Sequence, residues 1–310
     1  MINKNSKIYI AGHNGMVGSA CHRLLQSKGY KNLIYKTSKE LDLRNQIEVN
    51  LFFDKYKPNA VIIAAARVGG IHANDVYGYD FLIDNLQIQN NLITASEKNN
   101  LDKVVFLGSS CIYPKMAPQP LKEEYLLTGS LEETNQWYAT AKIAGVKSIE
   151  ALNKYKNKKY VSLMPTNLYG QNDNYDLNNS HVLPALIRKF HEAKINNHSK
   201  VILWGSGEPL REFLYVDDLA EAILFCLVSD LDSDLYNVGS GDEVSINELA
   251  VIIQQITGHR GEVLWDKNKP DGTPRKILDS SKLNILGWNA KIKLKKGISL
   301  TYKSFLSENK

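Results

Sequence analysis

The chain has 310 residues, 43% of them hydrophobic, with a formal net charge of +5. That is enough apolar chain for one large or two modest domains, and a small dispersed positive excess argues against nucleic acid as a partner. No apolar run nears the ~18 residues of a membrane span, and the start, Met1 to Lys7, leaves no room for a signal peptide. Cys21, Cys111 and Cys226 form no C-x-x-C pair, and the seven histidines show no metal-ligand spacing. We therefore expect a soluble, cytoplasmic protein with no metal and no membrane partner.

In chain order, Lys7 to Ala11 is a short apolar strand, and Gly12-His13-Asn14-Gly15-Met16-Val17-Gly18 follows it. Met16, Val17, Ala20, Cys21, Leu24 and Leu25 then mark one face of a helix. Strand, glycine turn and helix together suit a diphosphate, which the glycines admit and the helix N-terminus attracts. The spacing G-x-x-G-x-x-G differs from the common dinucleotide fingerprint and is a weak signal alone. Further strand-like runs at 32–36, 60–64, 103–107 and 160–164 alternate with helical segments, including 81–99 and 138–155. Alternation of this kind predicts an α/β fold with a doubly wound, Rossmann-type parallel sheet.

On the helix over 138–155, Tyr138 and Lys142 stand four residues apart and so share a face. Bringing a phenol from ~10 toward ~7 takes ~4 kcal/mol, and a cation ~4 Å away at an effective dielectric of ~20 supplies about that much. The pair alone is equally an exposed lysine beside a half-buried tyrosine. Beyond Pro165 the expected elements are a helix over 181–195, a strand at 201–204, and helices over 246–256 and 294–306. The proline-bearing loops 113–136 and 266–276 are candidate lids at the carboxyl ends of the strands. The domains expected are 1–168, to which segments near 200–204 and 213–240 return, and a smaller α/β domain over 169–310.

Gly108-Ser-Ser-Cys-Ile-Tyr-Pro114 completes a Ser, Tyr, Lys set with Tyr138 and Lys142. With Gly12 to Gly18, that set resembles the extended short-chain dehydrogenase/reductases. Ala65 to Ile71, Pro165-Thr-Asn-Leu-Tyr-Gly170, Asn179-Ser-His-Val182, Trp204 to Gly207, Arg211-Glu-Phe213 and Pro270-Asp-Gly-Thr-Pro-Arg-Lys276 narrow the resemblance to the GDP-L-fucose synthase family. These stretches run in family order over almost the whole chain.

The resemblance implies that GDP-4-keto-6-deoxy-D-mannose is epimerised at C3 and C5 and then reduced at C4 with NADPH. It casts Ser109, Tyr138 and Lys142 as the reductive set, with Cys111 and His181 as base and acid for inversion. It implies an NADP-binding domain over 1–168 and a mainly GDP-sugar-binding one over 169–310. The cofactor would lie on Gly12, His13, Asn14, Gly15, Met16, Val17 and Gly18. Lys36, Ser38, Lys39, Asp42 and Leu43 would surround its adenosine. Leu107, Gly108, Ser109, Ser110, Lys142, Pro165, Thr166, Asn167, Leu168 and His181 would line the rest. Lys189, Trp204, Arg211, Asp271 and Lys276 would hold the GDP-sugar, the cations suiting its diphosphate. A homodimer through helices 81–99 and 138–155 is implied as well.

Two departures bear on specificity. Asn14 and Ser38 are uncharged where NADPH-using relatives commonly carry arginines, so Lys36 and Lys39 are expected to compensate. Gln136-Trp137 replaces the family's usual acidic residue and proline, and Trp137 is expected to border the sugar pocket. The rival reading is a C4 reductase without epimerase activity, acting on another GDP-4-keto sugar such as a 6-deoxy-heptose. A non-catalytic nucleotide-binding protein of the same fold is the remote alternative.

Overall fold

A computed structural model describes residues 2–177, 179–269 and 271–308, so Asn178 of the polar stretch and Pro270 of the last motif lie outside the described residues. In chain order, β1 (Ile8–Ala11), α1 (Met16–Ser27), β2 (Leu33–Ile34), α2 (Gln46–Tyr56) and β3 (Ala60–Ile63) come first. Next are α3 (Ile71–Val76), α4 (Gly78–Lys98), β4 (Lys103–Leu107), α5 (Gln136–Lys156), β5 (Val161–Pro165) and β6 (Asn167–Tyr169). They are followed by α6 (Val182–Ile195), β7 (Lys200–Trp204), β8 (Leu210–Tyr215), α7 (Val216–Val228) and β9 (Leu235–Val238). The chain closes with β10 (Glu243–Ser245), α8 (Ile246–Thr257), β11 (Glu262–Asp266), β12 (Arg275–Lys276), α9 (Ser281–Ile285) and α10 (Leu294–Glu308). None of these helices is long and apolar enough to cross a membrane.

The main sheet is parallel and six-stranded, in the order β2-β1-β3-β4-β5-β9. Ile8 and Ile10 of β1 point to the face covered by α1 and α7, while Tyr9 and Ala11 point to the face covered by α2, α4 and α5. Burial on both faces explains why these strands read as unbroken apolar runs. Each buried side chain such as Ile10 or Phe106 contributes about 1.5–3 kcal/mol. Sheet order reverses at β1, so the crevice at the carboxyl ends of β1 and β3 is the topological switch point where ligands bind in this class of fold. Gly145 brings α5 onto β4, since a Cβ there would lie 2.4 Å from Phe106 Cζ.

A second apolar cluster joins α6, α8 and α10 to β7 and β8. Here the structure corrects the expectation for residues 200–204. Instead of returning to the main sheet, β7 pairs in parallel with β11, Val201 opposite Val263 and Trp204 opposite Asp266. Only Val201 and Leu203 of β7 are buried, and a strand with one wet face cannot sit in a sheet covered on both sides. Segment 213–240 divides likewise: β8 lies with β6, β10 and β12, whereas α7 covers the main sheet and β9 extends it. β2 is also shorter than expected, because the Thr37 N–H and hydroxyl turn back to Glu40 soon after Ile34.

The first candidate lid is stitched to the chain just beyond the second. Leu121 donates to the Ile277 carbonyl and Asp279 to the Leu121 carbonyl, both at 2.8 Å. Asn237, fully buried at the end of β9, donates to the carbonyls of Leu121 (2.9 Å) and Asp279 (3.1 Å) and accepts from Tyr113 Oη at 2.6 Å. Leu121 of the first loop is thus anchored to β9 and to the chain after β12. Asn237→Leu removes the three bonds made by that side chain, and we expect it to cost about 2–4 kcal/mol. Urea unfolding should show a lower midpoint at unchanged slope.

Candidate active site

The glycine turn is built by close approach. Gly12 has φ +88°, and a Cβ there would lie 2.7 Å from the backbone nitrogen of Ala65 just beyond β3. A Cβ on Gly18 would lie 2.1 Å from the Gly12 carbonyl oxygen. Gly15, at the N-cap of α1, is exposed, and no side chain bonds to the first turn there. Met16 and Val17 open the helix, and Asn14 is exposed beside them. Those free N–H groups and the absence of side chains fit a dinucleotide diphosphate. His13 stacks on Tyr35 with centroids 4.8 Å apart, and its Nδ1 is buried without a partner.

The residues expected around the adenosine are partly engaged elsewhere. Lys36 Nζ pairs with Glu40 Oε1 at 2.9 Å, so it is not a free cation. The Thr37 backbone N–H, then the Lys36 ammonium and the Thr37 hydroxyl, hold the Glu40 carboxyl down at about 2. Asp42 is gripped by Arg44 through Nε and Nη2, each at 3.0 Å, and Leu43 accepts from Asn91 at 2.9 Å. Ser38 and Lys39 are exposed.

At the ends of β4 and β5 the chain is tightly packed. A Cβ on Gly108 would lie 2.1 Å from Met164 Cε, while Leu107, Ser110, Pro165 and Thr166 are buried, and Leu168 packs against the core. Ser109 caps the short turn Ser110–Ile112, accepting from the Cys111 N–H at 3.4 Å. Tyr138 and Lys142 do share a face of α5, but the expected electrostatics change. The Lys142 ammonium donates to the Leu107 carbonyl at 2.8 Å and stands 5.7 Å from the centre of the Tyr138 ring. Burial brings Lys142 down to about 8. Burial, then the Cys111 charge, holds the Tyr138 phenol above its ordinary value, so Tyr138 stands ready as a protonated donor.

Cys111 is buried, and desolvation raises its thiol; Lys276, the Ser109 hydroxyl and Lys142 pull the other way. His181 occupies the N-cap of α6 and keeps an open surface, yet the protein mass around it and then the Lys276 charge lower its imidazole. Its loop is fixed by the Gly70 N–H, which donates to the Asn179 carbonyl at 2.9 Å, and a Cβ on Gly70 would lie 2.7 Å from the Ser180 carbonyl oxygen. Thus Cys111 lies within reach of Ser109, Tyr138, Lys142 and Lys276, Lys276 lies within reach of His181, and together these residues outline the candidate cleft. Trp137 presses its ring onto Gly78 at the start of α4, where a Cβ would lie 2.4 Å from Trp137 Cδ1.

Across the cleft, β12 lies beside β8 with Lys276 opposite Arg211. Desolvation lowers both of these cations and Lys189. Trp204 is 66% exposed, with Lys189 Nζ 5.6 Å and Lys269 Nζ 5.2 Å from its ring centre. Asp271 accepts from the Ser206 N–H (2.9 Å) and hydroxyl (2.7 Å). A ring flanked by cations, beside buried basic groups, suits a nucleoside diphosphate. Among the described residues no His, Cys, Asp and Glu cluster could hold a metal ion.

The NAD dependent epimerase/dehydratase family matches residues 8–239. The chain belongs to that family. Within it, the chain is 55% identical to GDP-L-fucose synthase 1 of Arabidopsis thaliana, over 99% of this chain and 95% of that one. It is 47% identical to the GDP-L-fucose synthase of Escherichia coli (strain K12), over 97% and 96% of the two chains. Among solved structures, MlghC, the GDP-mannoheptose C4 reductase from Campylobacter jejuni with NADP bound, superposes with a TM-score of 0.91 at 40% identity, covering 99% and 100%.

Lys269 escaped the sequence reading because only the β7–β11 pairing brings it to Trp204. Glu40 escaped it too, although its spacing from Lys36 is that of an i,i+4 ion pair. Since Glu40 occupies Lys36 and adds negative charge beside the expected 2'-phosphate position, Glu40→Gln should raise the NADPH-to-NADH ratio of kcat/KM. We expect about a threefold to tenfold gain, checked by steady-state kinetics with each cofactor.

Proposed function

We propose that this chain makes GDP-L-fucose from GDP-4-keto-6-deoxy-D-mannose, inverting C3 and C5 and then reducing C4 with NADPH. The observation that carries the reading is the convergence of Cys111, His181 and the Tyr138/Lys142 pair on one cleft whose far wall holds Lys276 and Arg211. Relatives that carry the name GDP-L-fucose synthase over nearly the whole chain support it.

In this reading NADPH supplies hydride to C4. Cys111 takes a proton from the carbon next to the ketone, and His181 gives one back from the opposite face of the ring. Lys276 favours the thiolate, the form of Cys111 that takes a proton, but works against the protonated imidazole of His181 that would give one. Ser109 and Tyr138 hold the ketone oxygen while it carries enolate charge. When C4 is reduced, Tyr138 donates its proton to that oxygen, and Lys142 steadies the charge left on the phenol. Gly12 to Gly18 cradle the diphosphate of the cofactor, with Leu107 to Ser110 and Pro165 to Leu168 along its nicotinamide end. Lys189, Trp204, Arg211, Asp271 and Lys276 hold the GDP. A cytoplasmic homodimer through α4 and α5 belongs to this proposal, supported by exposed Tyr79 and Tyr155 on those helices.

The second reading, reduction at C4 without inversion, is favoured by the likeness to the Campylobacter jejuni C4 reductase. Incubation with GDP-4-keto-6-deoxy-D-mannose in deuterated water separates the two. For the synthase, deuterium enters C3 and C5 even without NADPH, and Cys111→Ser suppresses that exchange. Reduction with no deuterium at either carbon overturns the epimerase assignment. Tyr138→Phe should slow reduction by about 100-fold or more while leaving GDP binding intact.

A pH profile gives a further check. Lys142 is charged below about pH 8 and loses its proton as pH rises through that value. Reduction should therefore hold steady below about pH 8 and decline above it, a limb that Lys142→Arg should displace to higher pH.

A further inference from the structure

One buried carboxylate has no part in the chemistry above. Glu212, between Arg211 and Phe213 on β8, is 0% exposed, and the groups that favour its charge are hydrogen-bond donors rather than cations. A charge so placed is costly unless both oxygens are met. Both are: Oε1 accepts from the Gly241 N–H at 2.8 Å and Oε2 from the Leu278 N–H at 3.0 Å. An amide could not replace it, because its NH2 would face one of these two donors. The fit is tight as well, since a Cβ on neighbouring Gly239 would lie 2.3 Å from Oε1.

The backbone of Glu212 serves the cofactor wall and its side chain chiefly the substrate wall, with the Thr166 hydroxyl reaching both. Its carbonyl accepts from Asn167 Nδ2 at 2.8 Å and Thr166 Oγ1 at 3.3 Å, on the segment assigned above to the cofactor. Its carboxylate holds Leu278, two residues past Lys276, and β12 in turn sets Lys276 opposite Arg211. Glu212 shares this support with Leu121, which bonds to Ile277 and Asp279, and with Glu243, which holds Arg275, but it is the carboxylate that joins this segment directly to β8 beside Arg211.

We propose that Glu212 is a positioning residue that sets Lys276 and Arg211 against the diphosphate of the GDP-sugar, at a fixed distance from the cofactor wall. This rests on the GDP-sugar reading of the cleft. Because only the carboxylate reaches the substrate wall, replacing it should separate two affinities that general loosening would lower together.

The test is calorimetric titration of the full chain with GDP and, separately, with NADPH. Glu212→Gln should weaken GDP about tenfold and leave NADPH within about threefold, the loss of one charge-assisted hydrogen bond being of that size. Gly239→Ala and Glu212→Asp, which keep the carboxylate but displace it, should show the same split and stand in if the Gln variant does not fold. Unchanged GDP affinity in a folded variant, or equal loss of GDP and NADPH, overturns the proposal. Failure of the unaltered protein to bind GDP overturns the GDP-sugar reading itself, and so is told apart.

Discussion

The architecture depends on one backbone contact, the approach of Gly12 to the chain leaving β3. A side chain at Gly12 would collide with Ala65, and one at Gly18 with Gly12, so three segments meet there with nothing between them. That contact closes β1, α1 and β3 around the point where sheet order reverses, and so fixes where a diphosphate can rest. Several of the proposed site residues are then placed by where neighbouring strands stop. Leu107 ends β4 with its carbonyl on Lys142, and Pro165 ends β5 beside the segment that Glu212 supports.

Across from this rigid edge lies a wall of different construction. Its strands are short, its apolar cluster is separate, and its cations are held in partly dry surroundings. Buried cations raise the affinity of a site for a diphosphate, yet they also repel one another while uncompensated. The same Lys276 that suits an anionic ligand biases Cys111 and His181, so in the proposed reaction binding and proton transfer would share one charge.

Much of this was legible in the sequence. Strands buried on both faces announce themselves as apolar runs, and the i,i+4 spacing of Tyr138 and Lys142 fixed their shared face. What the chain could not reveal was competition for partners. Lys142 answers to the Leu107 carbonyl and Lys36 to Glu40, and both partners satisfy groups whose obligations depend on the folded path. Nor did periodicity distinguish β7 from a strand of the main sheet, because five residues with two buried positions read as strand in either setting. Pairings across long separations, such as Trp204 with Lys269, needed the β7–β11 register to exist first.

Trp137 and Gly78 share one small volume next to Tyr138, and the indole fits only because residue 78 has no side chain. The two positions are therefore not free to drift independently. A lineage that acquired a larger residue at 78 would have to give up the tryptophan, and one that reverted to a small ring at 137 would leave a hollow against the start of α4. Substitutions at either position beside Tyr138 must therefore travel as pairs, so one cannot be changed in size without the other.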